Sequence, residues 1–284
     1  MNQTKVHKED SVTIAGTGKK TLEVFSRKNL HYILLKVTKT GTAATVAQMK
    51  AQITDIVVRI DGKAFHEADA TFFLDIERYY KDGLVSGGNA NIAGYIKIPF
   101  VRQDLPAAAS RMATSLGIKG VEKIIVEVQI AAITNIDLIE IFSVYDDGAP
   151  RPMGVTRRFS KHNHAYATTG VDQIPDLPFK DSGVIGWLAA HIKYATGTLD
   201  EVSVIKNSTD ELNETPPAVL QSLAQDNQRA PQSGYVHVDF GKDRDPLMFL
   251  DMPAESLLIK PKWSSAAPND YNIYLERLFA DPAK

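Results

Sequence analysis

One order of elements can be read twice along this chain, and that repeat limits the available folds more than any single motif. Ile53-x-x-Ile56-x-Val58 returns as Leu199-x-x-Val202-x-Val204, offset by 146 residues. Each stretch is followed by an amphipathic segment, residues 70–80 in one half and 216–227 in the other. Gly94-Tyr95-Ile96-Lys97-Ile98 then matches Gly234-Tyr235-Val236-His237-Val238, offset by 140. Asp104-Leu105-Pro106 faces Asp245-Pro246 as a helix or turn starter. Residues 121–126 match 254–259 at an offset of 133, and the last strands, from Asp137 and Asp270, keep that offset. The order strand, helix, strand, turn, strand, strand therefore occurs twice, with small deletions in loops. The junction falls in the polar Gly/Pro stretch from Asp146 to Pro152. The expected domains are residues 1–147 and 148–284.

Length agrees with that division, because 284 residues make about two domains at roughly 150 residues each. Apolar residues make up 44% and charged residues 23%, ordinary values for chains with a packed core. No cysteine is present, which excludes a disulfide scaffold, a thiolate zinc site and a Cys nucleophile. The net charge is -2, with +1 in residues 1–147 and -3 in 148–284. Neither half has the basic excess of a nucleic-acid binder. Met1–Asp10 is polar and no apolar run follows it, which reads against a signal peptide. No run approaches the ~18 apolar residues of a membrane span. The best, residues 124–145, is broken by Glu127, Asp137 and Glu140.

Most periodic segments read as strands: 11–15, 21–25, 30–37, 53–60, 92–100, 123–132, 137–145, 155–159, 184–194, 201–206, 235–240, 256–260 and 271–278. Asp61-Gly62 is a turn dipeptide after the fourth. Phe72, Ile76, Tyr79 and Tyr80 share one helical face, with Asp69 as cap and Lys81-Asp82-Gly83 as stop. A second helix is expected from Asp104-Leu105-Pro106 to Gly117. A third starts at Thr215-Pro216, with Val219, Leu220 and Leu223 as its inner face. Met1–Asp10 is expected to stay mobile until it meets a neighbour or a membrane. Many short strands with few helices point to β-sandwich or jelly-roll domains.

Motifs for chemistry are weak throughout. Gly16-Thr17-Gly18-Lys19-Lys20-Thr21 fails the phosphate-loop spacing, since Thr13 and Lys20 stand where Gly and Ser/Thr are needed. It reads as a hairpin turn. His162-Asn163-His164 would put two imidazoles on one strand face, but no third ligand is spaced for a metal, and a solvated loop is the better reading. Asp239, Asp243, Asp245 and Asp251 form an acidic run without EF-hand order. A structural Ca²⁺, if the chain held one, would use Asp243, Asp245 and Asp251. No other cofactor is expected. Arg157, Arg158 and Lys161, with Arg151, are the densest basic stretch and the candidates for lipid headgroup contact. No catalytic constellation appears, so the chain does not read as an enzyme. Asn2, Asn207 and Asn213 head glycosylation tripeptides, a pattern that also occurs by chance.

Several longer stretches are similar to the major capsid protein of corticoviruses, tailless bacteriophages with an internal membrane. Residues 53–63, ITDIVVRIDGK, resemble a strand there that ends in Asp-Gly-basic before an amphipathic helix. Ile96-Lys97-Ile98-Pro99-Phe100-Val101-Arg102 resembles its Phe-Val-Arg-Pro strand end, although here Pro99 precedes Phe100 and Gln103 follows Arg102. Residues 111–117, RMATSLG, resemble its Arg-Met-x-x-Leu-Gly helix. Arg157-Arg158-Phe159, Ile174-Pro175-Asp176-Leu177-Pro178 and Ala189-Ala190-His191-Ile192-Lys193 match in the second half, where Asn207-Ser208 replaces the family Asp-Gly.

The resemblance implies an all-β double jelly roll: two eight-stranded barrels in tandem, with a few short inserted helices. It implies a coat protein made in the bacterial cytoplasm and placed in the virion shell. Three copies would form a pseudo-hexagonal homotrimer, and trimers would tile an icosahedral shell around the membrane. Its partners would be itself, vertex or spike proteins, membrane proteins and lipid, with no direct nucleic acid. The alternative is a two-domain β-sandwich that binds or cleaves carbohydrate, which would need aromatics beside carboxylates on one sheet face. The only tryptophans are Trp187 and Trp263, and neither lies beside a clear acid pair.

Overall fold

The computed structural model describes residues 4–25, 28–81, 93–103, 105, 110, 113–241 and 247–280. Described residues up to Tyr80 and from 93 to Phe159 form one compact unit, and Ser160–Ala280 form another. The helix expected from Asp104 lies mostly outside the described residues, as do Asp243, Asp245 and Pro246. No helix among the described residues is long and apolar enough to cross a membrane.

The first unit contains β1 (Thr4–Thr13), β2 (Gly18–Val24), β3 (Leu30–Lys39), β4 (Thr42–Ala43), α1 (Val46–Gln52), β5 (Ile53–Ile60), β6 (Lys63–Ala68), α2 (Ala70–Lys81), β7 (Tyr95–Pro99), β8 (Ile124–Ile130) and β9 (Leu138–Asp146). One sheet runs β1-β9-β3, with β4 and β7 both on β3; the other runs β2-β8-β5-β6. Most successive strands therefore change sheets, and only the β3–β4 and β5–β6 pairs are consecutive partners in theirs. That alternation is a jelly roll. Its core follows from period-two burial: Ile124, Val126, Val128 and Ile130 of β8 face inward while the residues between them do not. Leu22, Val24, Ile33, Leu35, Val37, Ile56 and Val58 are also buried.

The second unit follows the same path. It contains most of β10 (Val155–Tyr166), then β11 (Gly170–Val171), β12 (Val184–Tyr194), β13 (Leu199–Lys206), β14 (Thr209–Thr215), α3 (Pro217–Asp226), β15 (Tyr235–Asp239), β16 (Leu250–Asp251), β17 (Leu257–Trp263) and β18 (Asn269–Ala280). Its sheets run β10-β18-β12-β15, with β16 on β12, and β11-β17-β13-β14. Setting aside the two-residue β4 and β16, each half has eight strands in one topology. β13 repeats β5, β15 repeats β7 and β17 repeats β8 at the offsets read from the sequence. The core of this unit gathers around Trp187, Val202, Val204, Ile259, Trp263 and Ile273.

Five expectations change. Thr4–Thr13 is not a mobile tail: it pairs antiparallel with β9 from Thr4↔Asp146 to Thr13↔Leu138. Backbone hydrogen bonds hold a strand whose side chains are nearly all polar. The Gly16–Thr21 turn is not a hairpin, because β1 and β2 lie in different sheets; it is a corner, with Gly18 at φ 102°. β6 and β14, which precede the two helices, show no clean hydrophobic alternation in sequence. The short α1 was also not expected; Thr45 and Gln48 close its start as a reciprocal capping box. Finally, α3 buries Leu220 and Ala224, whereas Val219 and Leu223 are 46% and 42% exposed.

Candidate functional site

The two barrels share a built-in corner. Asp61 and Gly62 have φ of 48° and 80° and join β5 to β6 where Ile60 pairs with Lys63. Asn207 and Ser208 have φ of 50° and 64° and join β13 to β14 where Lys206 pairs with Thr209. Both are two-residue turns with positive φ at each position, the geometry that favours Asp, Asn and Gly. Asp61 Oδ1 accepts from the backbone N–H groups of Glu122 and Lys123 at 2.9 and 2.8 Å. Asn207 Oδ1 accepts from those of Glu255 and Ser256 at 2.7 and 3.2 Å. The turn residue thus fixes the entry to β8 in one barrel and to β17 in the other.

The helices that follow differ. In α2, Phe72, Phe73, Leu74, Ile76, Tyr79 and Tyr80 are all buried. Asp69 caps the helix, accepting from Phe72 N–H at 2.7 Å. Phe159, at the start of β10, completes an aromatic cage in this unit: its ring lies 5.1 Å from His66, 5.5 Å from Phe72 and 5.9 Å from Phe73. Its N–H donates to His66 Nδ1 at 3.2 Å. In the second unit, α3 starts at Pro216 with no side-chain cap. Only two of its residues are buried.

The basic stretch sits differently from the surface patch expected of it. Arg157 is 1% exposed, with its guanidinium over the Tyr80 and Phe159 rings at 4.7 and 4.6 Å. Such cation–ring packing anchors the strand and keeps Arg157 from lipid headgroups. Arg158 lies over Phe65 at 4.6 Å. Arg158 and Lys161 are both half-buried. Three basic residues on one accessible patch are therefore not present here.

The acidic run is also spread out. Asp251 pairs with Lys206, whose ammonium holds the carboxyl below its usual range. Asp239 accepts from Arg229 at 3.3 Å and from Gly241 N–H at 2.8 Å. Asp243 and Asp245 lie outside the described residues. Among the described residues no three acids or histidines gather to hold a metal.

His162 and His164 lie on β10, not in a solvated loop. His164 donates to Asp172 at 2.9 Å, and the Tyr271 hydroxyl donates to the same carboxylate oxygen at 2.6 Å. Burial pushes His162 down to about 4. A buried polar chain crosses three strands of the second unit. Gln232 N–H donates to His237 Nε2 at 3.2 Å. The neutral ring therefore carries its proton on Nδ1, which lies 2.7 Å from His191 Nδ1. His191 Nε2 then faces Glu276 at 3.5 Å. Burial first, and His191 second, hold His237 well below the ordinary imidazole range. The chain runs from β15 through β12 to β18.

Trp187 and Trp263 are 0% and 1% exposed. Neither is exposed enough to stack on a sugar. Among the described residues the molecule offers two jelly-roll barrels, edge strands that include β1 and β14, and a partly exposed apolar face on α3.

Comparison with known proteins points the same way. A family model described as viral coat protein P2 N-terminal domain matches residues 7–146, and the viral coat protein P2 C-terminal domain matches 156–279. The structure is similar to the major capsid protein P2 from bacteriophage PM2, with a TM-score of 0.75 at 18% identity over 98% of each chain. It is similar to a chain of Sulfolobus turreted icosahedral virus, with a TM-score of 0.67 at 14% identity over 99% of this chain and 92% of that one. It is also similar to the PBCV-1 virus capsid, with a TM-score of 0.65 at 9% identity over 98% and 94%. No curated protein matches it significantly by sequence. With both domain models matched in order and the double jelly roll present strand for strand, the chain belongs to the viral coat protein P2 family: it is a capsid protein of the virion shell.

Proposed function

We propose that three copies of this coat protein form a trimer of pseudo-hexagonal outline, and that trimers tile an icosahedral shell around an internal membrane. The observation that carries this reading is the tandem repeat itself, two jelly rolls of one topology in each chain. Two barrels in each of three chains give six similar walls, so a threefold assembly can occupy a sixfold site. Vertex proteins, membrane proteins and lipid would be the remaining neighbours. The role is structural and includes no catalytic step. Sedimentation of the full-length chain tests it: a stable trimer is expected, and a monomer at all accessible concentrations would overturn it. Imaging of assembled particles would then show trimers enclosing a bilayer, or a shell without one.

A further inference from the structure

α3 carries a second apolar face that its own barrel does not use. Val219 and Leu223, four residues apart, are 46% and 42% exposed, and Met248 and Leu247 are 41% and 80% exposed. Leu223 and Met248 line a groove of about 240 Å³ whose floor includes Leu220, Ala224 and Phe240. Jelly-roll topology does not require this, since α2 occupies the same place in the first barrel and hides every large apolar side chain. Contiguous exposed apolar surface of this kind marks an interaction site.

The charge along β14 and α3 is one-sided. Residues 207–228 contain Asp210, Glu211, Glu214 and Asp226, and no Lys, Arg or His. β14, which carries three of these acids, is the edge of its sheet. Two such faces would repel each other, so a contact between copies must join this face to a different one. The complementary surface is at the start of β1. Thr4–Lys8 are all exposed on a sheet edge, and Val6 is 61% exposed between Lys5 and the pair His7-Lys8. Among the described residues, no other large exposed apolar side chain has basic neighbours on both sides. Lys5 is held only by a surface pair with Asp147 at 3.3 Å, with side chains 50% and 34% exposed. Such a pair is weak and can change partners. Lys8 pairs with Glu140.

We infer that the acidic, apolar face formed by α3 and β14 of one coat subunit receives the basic start of β1, Thr4–Lys8, from a neighbouring copy. This deepens the coat-protein reading and rests on it. Val6 enters the groove beside Leu223, and Lys5 meets the acids of β14. The contact is heterologous, so it can close a ring of subunits or link one ring to the next.

The absence of cysteine makes the test clean. Full-length Val6→Cys and Leu223→Cys chains are mixed, allowed to associate and treated with a short bismaleimide. Both positions are exposed, so neither substitution disturbs the fold. The expected result is linked pairs in the mixture and none in either variant alone. An unlinked mixture in which subunits still associate would overturn the contact and leave the trimer reading intact. Leu223→Cys chains that link to one another would overturn it too. If the chains never associate, the trimer reading falls and takes this contact with it. As a second measure, Leu223→Glu should weaken subunit association at least tenfold. Lys5→Glu should weaken it several-fold and regain most of the loss when combined with Glu211→Lys. If Leu223→Glu impaired only the binding of lipid or a minor virion protein, with subunit association unchanged, the inference would be wrong.

Discussion

α2 and α3 occupy one place in two copies of one topology, yet they are different objects. α2 is a core element, and six large apolar side chains disappear beneath or beside it. α3 is a half-clad element, with Leu220 and Ala224 inside and Val219 and Leu223 outside. The surrounding fold is closely matched, down to the positive-φ turns and the side-chain oxygens that clamp the next strand. The shared frame therefore does not dictate which helix faces are buried. What the second barrel does not bury, it can present to another molecule.

The largest expected effect separates the helices directly. Phe73→Ala should cost about 3–5 kcal/mol, the usual penalty for emptying a buried aromatic site. Leu223→Ala should stay within about 0.5 kcal/mol, as exposed positions do. Urea unfolding of both variants measures this, and equal losses would erase the distinction between the helices.

Acid should separate the barrels next. Burial lowers His162 and His237 in the second unit and His31 in the first. A histidine lowered in the folded state gives stability that is complete above its unfolded value. That stability is lost as pH falls, because the unfolded chain then binds more protons. The loss should begin near pH 6.5 and continue to about 4, where folded His162 takes up its own proton. Each such proton gives a slope of about 1.4 kcal/mol per pH unit. In the first unit, Lys36 and Lys8 lower Glu140, so its contribution is present above the ordinary carboxylate value and fails only below it. Trp187 and Trp263 both belong to the second unit. Their fluorescence should therefore report the loss in the second unit, and His31→Gln in the first unit should leave that signal unchanged.

The corner clamps should show the resemblance between barrels rather than the difference. Asp61→Ala should cost about 1.5–3 kcal/mol, since a charged acceptor is lost. Asn207→Ala should cost about 0.5–1.5 kcal/mol, since its acceptor is neutral. Thermal melting of each would check the order. A neutral result at either site would mean that its oxygen is not the clamp.

Helix starts give the smallest contrast. Asp69→Ala removes the α2 cap and should cost about 1 kcal/mol. Pro216→Ser offers α3 the cap it lacks, at a residue whose φ of -65° and ψ of 147° already suit one. It should gain a few tenths of a kcal/mol, or up to about 1. Loss of stability in that variant would show that Pro216 acts by stiffening the chain.

Much of this frame is legible in the residues. Ile53–Ile60 and Val184–Tyr194 have the expected bounds because their apolar runs are dense and β-branched or small. Asp69 and the Phe72, Ile76, Tyr79, Tyr80 face also appear where the pattern puts them. The edge strands were harder to see for one reason. β1 and β14 are set by hydrogen bonds to a neighbouring strand, so their side chains are free to be polar and show little alternation. The candidate surfaces depended on distant partners. Arg157 looks like a surface charge until Tyr80, 77 positions earlier, lies beneath its guanidinium. Val219 looks like core until the α3 backbone orientation fixes which of its neighbours turns inward. Hydrophobicity located the elements, but burial of their individual faces depended on contacts far apart in the chain.

Phe159 closes the His66 cage of the first unit although it lies well past the last strand of that barrel's own jelly roll. For a chain emerging from a ribosome this imposes a sequence of events. Strands β1 to β9 can pair once Asp146 is free, yet His66, Phe72 and Phe73 lack their final ring until Phe159 has also emerged. A nascent chain therefore cannot finish packing the first unit when β9 emerges; it must extend to Phe159 before the cage is complete.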